Sequence, residues 1–517
     1  MDKEHLSDAI GNIKDEYIES ARIKNNRSKS VLNAFLALAA VIALAVTAVI
    51  IIPRLLPSDV TPDITSGTQS TDNAETDNSE QDTSEPDTEV PSPQPDYLSY
   101  AKINAVYPDY PDYYFWYSES EDKYNYSSNT AANYSLDFYK NLIGEFFGND
   151  SDENSVFSPL SVFFSLATLA EITDGETRDQ ILSLLHIDNL EDLRELSRAT
   201  WLSIYTNGDF YELGTQQIVP ANSFWLNSAA DVSGDEKIAE ILKNDYFTSF
   251  FKGDPNDENF VSAYKDWINT NTGGLLEDQM DNWDFSPEDI FQLVNTLLLK
   301  VDWFEPFNAE NNFTAVFHGK KSDALTEYMF GEDYTGGKYY ETDDFIAASI
   351  QAKANAEVWF VSPKDYITVD DLIKSGTYTD LLRAMKDEDS SAFAPPEGYD
   401  IYSINFTIPK FDISSQFDLK EKLINLGVTD VFDETKAEIP FITMKDGSNL
   451  CITGAEQNVR LSINEQGVSA AAATMMLGGW GSPTFKYVDF VLDRPFMVFI
   501  TFKGAPLFAG VINDLGE

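Results

Sequence analysis

The side chains that most often carry chemistry are scarce in this 517-residue chain, which has three histidines (His5, His186, His318) and one cysteine, Cys451. A single thiol excludes an intrachain disulfide framework and any multi-thiolate zinc or iron–sulfur site. There is no G-x-S-x-G elbow, no G-x-x-x-x-G-K phosphate loop, no H-E-x-x-H and no G-x-G-x-x-G opening a helix. His186 is expected to end a helix and His318 to sit in a turn-like Phe317-His318-Gly319-Lys320, neither with a Ser/Cys and carboxylate constellation that spacing identifies. Carboxylates are so numerous that their spacing carries no information. The chain is not expected to be an enzyme, and no metal or cofactor is expected.

The informative segment runs from Asn464 to Met476, N-E-Q-G-V-S-A-A-A-A-T-M-M. Its four consecutive alanines favour helix by intrinsic propensity. Yet it follows a strand pattern and leads into Gly478-Gly479-Trp480-Gly481-Ser482-Pro483, a turn-rich stretch. Read with period two, Val468, Ala470, Ala472, Thr474 and Met476 share one face; Gly467, Ser469, Ala471 and Ala473 share the other. A segment that slips between two strands needs such side chains, slender and with no charge to desolvate. Taken alone, such a run is more often an alanine-rich loop or helix end.

The elements around it belong to a mixed domain. Leu136, Tyr139, Leu142, Ile143 and Phe146 form one helical stripe; an apolar helix over Leu160–Ala170 and a charged one over Gly175–Leu185 follow. Strands are predicted over Phe291–Leu299, Ile346–Ile350, Val358–Val361, Ser403–Ile408, Val459–Ile463, Tyr487–Leu492, Phe496–Phe502 and Leu507–Ile512. Helices dominate early and strands late, which favours α+β over a doubly wound sheet.

Ahead of this domain the composition changes several times. Residues 1–30 hold a short amphipathic stripe, Leu6, Ile10, Ile13 and Tyr17, that resembles the cytoplasmic leaders of single-pass membrane proteins of Gram-positive bacteria. Residues 31–52 contain no charge and, at ~1.5 Å per residue, make a helix of ~33 Å, long enough for a ~30 Å hydrocarbon core. Arg22, Lys24, Arg27 and Lys29 precede this span and Arg54 follows it, so the N-terminus is expected in the cytoplasm and the rest outside. Residues 53–96 read as a disordered stalk: from Asp59 to Asp96 there are eleven acidic residues, no Lys or Arg, and abundant Thr, Ser and Pro. Residues 97–128 are rich in Tyr, Phe and Trp, read either as an extension packed on the domain or as a glycan- or partner-binding cluster. The last segment, 129–517, is the domain. With Lys+Arg 35 against Asp+Glu 86 the formal net charge is −51, which argues against a nucleic-acid partner.

From Asn129 onward the sequence resembles the serpin family, the serine protease inhibitors. The blocks are Asn154-Ser155-Val156-Phe157-Ser158-Pro159-Leu160-Ser161 with Gly175-Glu176-Thr177 and Gln180; Asn295 to Trp303, with Val301 where the family usually has glycine; Ile408-Pro409-Lys410-Phe411 with Leu419–Val428 and Val431-Phe432; the hinge Glu465–Thr474; and Phe490–Ile500. The resemblance implies a large central, mostly antiparallel sheet, smaller sheets, surrounding helices and an exposed reactive loop, the domain being preceded here by one transmembrane helix. It also implies a suicide substrate: a serine protease attacks the loop and is acylated, and the cut loop then inserts into the central sheet before the acyl bond is hydrolysed. The hinge comprises Glu465, Gly467, Val468, Ser469, Ala470, Ala471, Ala472, Ala473 and Thr474; Trp303 falls at the breach where the loop enters; and Ser158, Ser161, Asn295 and Gln457 form the sheet-opening cluster, with Gln457 in place of the usual histidine and able to bridge strands through its amide. Counting sixteen residues from Glu465 gives Gly481–Ser482 as the scissile bond, with Met476, Leu477, Trp480 and Thr484 as alternatives. A small residue there suits subtilisin- or elastase-like proteases. A monomer on the outer face of the membrane is expected.

Overall fold

The computed structural model describes residues 104–108, 135–148, 152–207, 216–232, 236–277, 285–445, 447–453, 455–468 and 483–515. The chain divides into two units, Met1–Thr88 and Glu89–Glu517, and every described residue belongs to the second. The leader, the apolar span 31–52 and the stalk therefore lie outside the described residues, as do most of 97–128. Among the described residues no helix is long and apolar enough to cross a membrane.

Nine α-helices are described: α1 (Leu136–Phe147), α2 (Pro159–Ile172), α3 (Gly175–Leu185), α4 (Leu190–Ile204), α5 (Glu236–Asp245), α6 (Glu258–Asn271), α7 (Val369–Ser375), α8 (Thr379–Lys386) and α9 (Leu419–Asn425). The start of α2 is set locally. Ser158 caps it by accepting the Ser161 N–H at 3.1 Å, and Pro159 takes the first turn, where its missing N–H costs nothing. Almost every side chain of α2 is buried, so it runs through the core.

The first sheet has the order β1 (Asn104–Val106), β6 (Thr248–Gly253), β4 (Gln217–Asn227), β7 (Phe291–Asp302) and β17 (Gly467–Val468), with β3 (Thr206–Asn207) also on β4. All its pairs are antiparallel except β4–β6. A second sheet runs β10 (Tyr339–Glu341), β11 (Phe345–Gln351), β12 (Ala356–Pro363), β19 (Phe496–Phe502), β20 (Ala505–Ile512) and β2 (Ser155–Phe157). Strands β19 and β20 are buried throughout, which is why they read as continuous apolar runs rather than alternations. A third sheet runs β18 (Phe485–Val491), β13 (Ile401–Pro409), β9 (Asp323–Tyr334) and β8 (Phe313–His318). Two ribbons complete the set: β14 (Phe411–Asp418) with β16 (Glu456–Ile463), and β15 (Ile442–Met444) with β5 (Ala230–Val232).

The architecture is α+β. Strand β7 continues past the predicted Leu299 to Asp302, bringing Lys300, Val301 and Asp302 into the ladder. His318 corrects the turn expectation: it closes β8, and its Nδ1 lies 3.0 Å from Asp323 Oδ1 across the β8–β9 hairpin. The described part of the aromatic-rich segment packs on the domain. Asn104–Val106 pairs with β6, and the Tyr107 ring meets Phe251 edge-on at 5.6 Å.

Candidate functional site

Strand β16 alternates, with Gln457, Val459, Leu461 and Ile463 buried and the residues between them more exposed. It ends in the turn Asn464-Glu465-Gln466, where the chain reverses and the Asn464 N–H donates to Gly467 O at 3.2 Å. Gly467 then pairs with Asp302 and Val468 with Val301. At Gly467 φ is +155°, and a Cβ would lie 2.3 Å from Val301 O and 2.6 Å from Asp302 Cα, so no side chain fits. The hinge thus enters the first sheet for two residues on the free edge of β7.

Trp303 holds this turn in place. It is fully buried, its Nε1 donates to Asn464 O at 2.8 Å, and its backbone N–H donates to Gln466 O at 2.8 Å. The Phe307 N–H takes Glu465 O at 2.9 Å. The Glu465 carboxylate accepts from Lys410 Nζ at 3.0 Å and Asn312 Nδ2 at 2.5 Å, while Lys410 also reaches Glu327 at 3.0 Å. Partial burial pushes the Glu465 carboxyl up, but hydrogen bonds from its own backbone N–H, Asn312 and Lys410 outweigh it and hold the group below the usual carboxylate range.

Below Val468, β7 and β16 share no ladder, and two cavities lie between them. One, of about 30 Å³, is lined by Leu275, Leu297, Leu299, Leu461, Val468 and Phe508 together with Arg460 and Ser462. The next, of about 40 Å³, is lined by Ser158, Ser161, Asn295, Gln457 and Asn458 among others. The sequence-predicted cluster is therefore gathered around one cavity, split between its walls. On the β16 wall both ends of the Gln457 amide are taken by the Ser158 backbone, Oε1 accepting its N–H at 3.2 Å and Nε2 donating to its carbonyl at 3.1 Å. Ser158 Oγ donates to Leu507 O at 2.8 Å. On the β7 wall Asn295 Nδ2 donates to Asn222 Oδ1 of β4, and Asn222 donates to Tyr246 O at 2.6 Å. The strand-to-strand bridge expected of Gln457 is not made, because its amide is taken up by the start of α2. Asn295 Oδ1 is buried without a hydrogen-bond partner among the described residues.

The far end of the loop is also fixed. The Thr484 N–H and Oγ1 both donate to Asp400 Oδ2 at 2.8 Å, and these two bonds hold Asp400 below the usual carboxylate range. Thr484 is thus tethered at the mouth of β18. Ser469, Ala470, Ala471, Ala472, Ala473, Thr474, Met476, Leu477, Trp480, Gly481 and Ser482 lie outside the described residues. The sequence assigned no role to Asn222, Asn312, Lys410 or Arg460. Lys410 stood in a quoted block, Ile408-Pro409-Lys410-Phe411; for the others no local signal exists.

A protein-family model described as serpin (serine protease inhibitor) matches residues 129–515, and the chain belongs to that family. Curated relatives include Serpin B10 of Mus musculus, 25% identical over 396 residues, covering 71% of this chain and 93% of that protein. Neuroserpin of Gallus gallus is 23% identical over 417 residues, covering 75% and 92%. An uncharacterized serpin-like protein of Thermococcus kodakarensis is 24% identical over 397 residues, covering 74% and 84%. Among solved structures, the thermophilic serpin tengpin in its native state superposes with a TM-score of 0.60 at 23% identity, over 79% of this chain and 96% of that one. Serpins are generally protease inhibitors rather than enzymes, and some members of the family are non-inhibitory.

Proposed function

We propose that the chain is a membrane-anchored extracellular inhibitor of serine proteases that acts as a suicide substrate. One observation carries the reading: the hinge is already paired with β7 at the head of an unfilled slot between β7 and β16, and an uncharged sixteen-residue connection, Ser469 to Thr484, follows it. Two registers support it independently. Continued down β7, the Gly467–Asp302 pairing sets Thr474 opposite Asn295. Continued down β16, the Asn464–Gly467 pairing sets Thr474 opposite Gln457. The same residue reaches the same cluster from both walls, and its hydroxyl supplies the donor that Asn295 Oδ1 lacks. On the Val468 face Ala470 and Ala472 then fill the cavities with small apolar groups.

The serine hydroxyl of the protease attacks the carbonyl carbon of Gly481. The Gly481–Ser482 bond breaks, a proton passes to the new Ser482 amino terminus, and Gly481 remains as an ester on the enzyme. The released ribbon inserts between β7 and β16. Strand β7 ends at Phe291, opposite Gly478 in this register, so Gly481 and its acylated protease are carried to the far end of the sheet. A small residue at the cleavage site, Gly481, suits subtilisin- or elastase-like enzymes. Residues 31–52 would hold the domain to the outside of the membrane, the acidic stalk would space it away, and one copy is sufficient.

Full-length chain in detergent, mixed with a subtilisin-like or elastase-like protease, should give a covalent adduct that survives denaturing electrophoresis and release a fragment whose first residue is Ser482 by mass spectrometry. Clean turnover of the loop across a broad protease panel, with no adduct, defeats the inhibitor reading and leaves a non-inhibitory binding protein on the same fold.

A further inference from the structure

The two cavities of the slot share part of their lining. Leu275, Leu297, Arg460 and Phe508 line both. Arg460 projects from the more exposed row of β16. Its Nε and Nη2 fork onto the Asp412 carboxylate of β14 at 2.9 and 2.8 Å, which aims the remaining nitrogen: Nη1 donates to Leu275 O at 3.3 Å. Leu275 lies just past α6, after two left-handed glycines, Gly273 (φ +60°) and Gly274 (φ +78°), that turn the chain over the slot. On the other wall Thr296 of β7 donates to the carbonyl of Asn271, the last residue of α6, at 3.4 Å. The C-terminal end of α6 and the segment that follows it therefore lie across the slot, the helix end hydrogen-bonded to the β7 wall and Leu275 to the β16 wall.

We propose that Arg460 is a positioning residue for loop insertion, a latch that holds the post-α6 segment over the slot and sets how fast the cut loop enters. The inference rests on the insertion mechanism above and adds its rate control. In the β16 register Ala471 arrives opposite Arg460, so the entering strand must displace Leu275 where the guanidinium grips its carbonyl. The methyl side chain of Ala471 leaves the guanidinium room once the strand is in. The bond to Leu275 belongs to the unfilled state alone, whereas the Asp412 fork lies between β14 and β16 and does not cross the slot.

The test compares wild type with Arg460→Met, which keeps the apolar stem and loses the donors, and with Arg460→Lys, which keeps one donor without the fork. Each full-length chain is nicked rapidly in the loop with a zinc metalloprotease, which forms no acyl-enzyme, and the growth of the heat-resistant form is followed over time. Arg460→Met should convert about tenfold faster, a barrier change of about 1.4 kcal/mol, with Arg460→Lys in between. The melting temperature of the intact form should fall more than that of the nicked form, which loses only the Asp412 fork. An unchanged conversion rate overturns the latch, and so does an equal fall in both melting temperatures, which marks an ordinary stabilising contact. If nicked wild type itself gains no heat resistance, the insertion mechanism fails and the latch fails with it; that outcome is visible before any variant is made.

Discussion

Val468→Arg is the sharpest perturbation of the hinge. Val468 is 4% exposed and stands over a cavity of about 30 Å³ whose walls are Leu275, Leu297, Leu299, Leu461 and Phe508. The one charged group there is Arg460, of the same sign as the incoming side chain. A guanidinium buried at this point has no carboxylate partner, and an uncompensated buried charge costs at least ~3 kcal/mol. Expelling β17 instead forfeits the Val468 side-chain burial, ~1.5–3 kcal/mol, and two residues of ladder, ~1–3 kcal/mol. The intact protein takes the cheaper route and loses about that much stability, within the ~5–15 kcal/mol of a domain, so it should remain folded. Insertion of the cut loop has no such escape, because residue 468 must enter the sheet before anything below it. The barrier rises by the excess of the buried-charge cost over the cost of expelling β17, each ~1.4 kcal/mol of excess slowing insertion about tenfold, and slowed insertion lets deacylation win. Stoichiometric titration against a subtilisin-like protease should show the variant consumed as a substrate, with little covalent adduct on denaturing gels and little gain in melting temperature after nicking. An adduct yield equal to wild type would refute the claim that the hinge enters an apolar slot.

The other predictions concern the two ends of the slot and its middle. Glu465 titrates below its unfolded value, so its contribution to stability is present above the ordinary carboxylate range and is lost as pH falls through the depressed folded value; melting curves of the uncleaved protein against pH should show wild type losing this advantage over Glu465→Gln in acid. Gly467→Ala places a Cβ 2.3 Å from Val301 O and should detach β17, lowering the intact protein's melting temperature by a few degrees in calorimetry. Thr474→Val should leave the intact form unchanged and lower the stability of the nicked form by about 1–3 kcal/mol, because Asn295 Oδ1 then stays buried without a donor; denaturant unfolding of both forms separates the two effects.

Where local chemistry decides a boundary, the sequence was sufficient. Helix α3 occupies Gly175–Leu185 as predicted because His186 breaks it in the left-handed region, at φ +55°. Strand β19 matches Phe496–Phe502 because Pro495 and the Lys503-Gly504 turn bracket it. Strand β4 went unread for the opposite reason: Gln217–Asn227 is covered on both faces, so it carries Pro220 and several amides with no alternation. At the site, the hinge was legible as a slender uncharged run, since the requirement acts on each of its residues in turn. Its anchors were not. Asn312 meets Glu465 across 153 residues of chain and Arg460 meets Leu275 across 185, separations that leave no trace in spacing. Gln457 was located but its bonding was misjudged, because the competing partner was the backbone of Ser158, which every residue type offers.

That bonding pattern bears on why the slot can open. The hydrogen bonds that Gln457 and Asn295 make at the larger cavity stay within their own walls, Gln457 on the α2 side and Asn295 through β4, rather than crossing the gap. Parting the walls there breaks no amide bridge between them and exposes little apolar surface, since the cavities already separate much of the two strands. A direct Gln457–Asn295 bond would make the empty state more stable and its opening slower. The arrangement leaves Asn295 Oδ1, like the side-chain amide of Asn458 on the other wall, buried without a hydrogen-bond partner among the described residues, so an arriving strand that pairs with them favours the filled slot over the empty one. Replacing Asn295 by Asp would turn that acceptor into a buried charge and also remove the donor to Asn222 Oδ1, a loss common to the empty and filled slots; it should hasten conversion of the nicked form to the heat-resistant one if Thr474 supplies the donor, and not in the Thr474→Val background. A double-mutant cycle on the conversion rate measures this coupling, and additivity of the two substitutions would place Thr474 elsewhere.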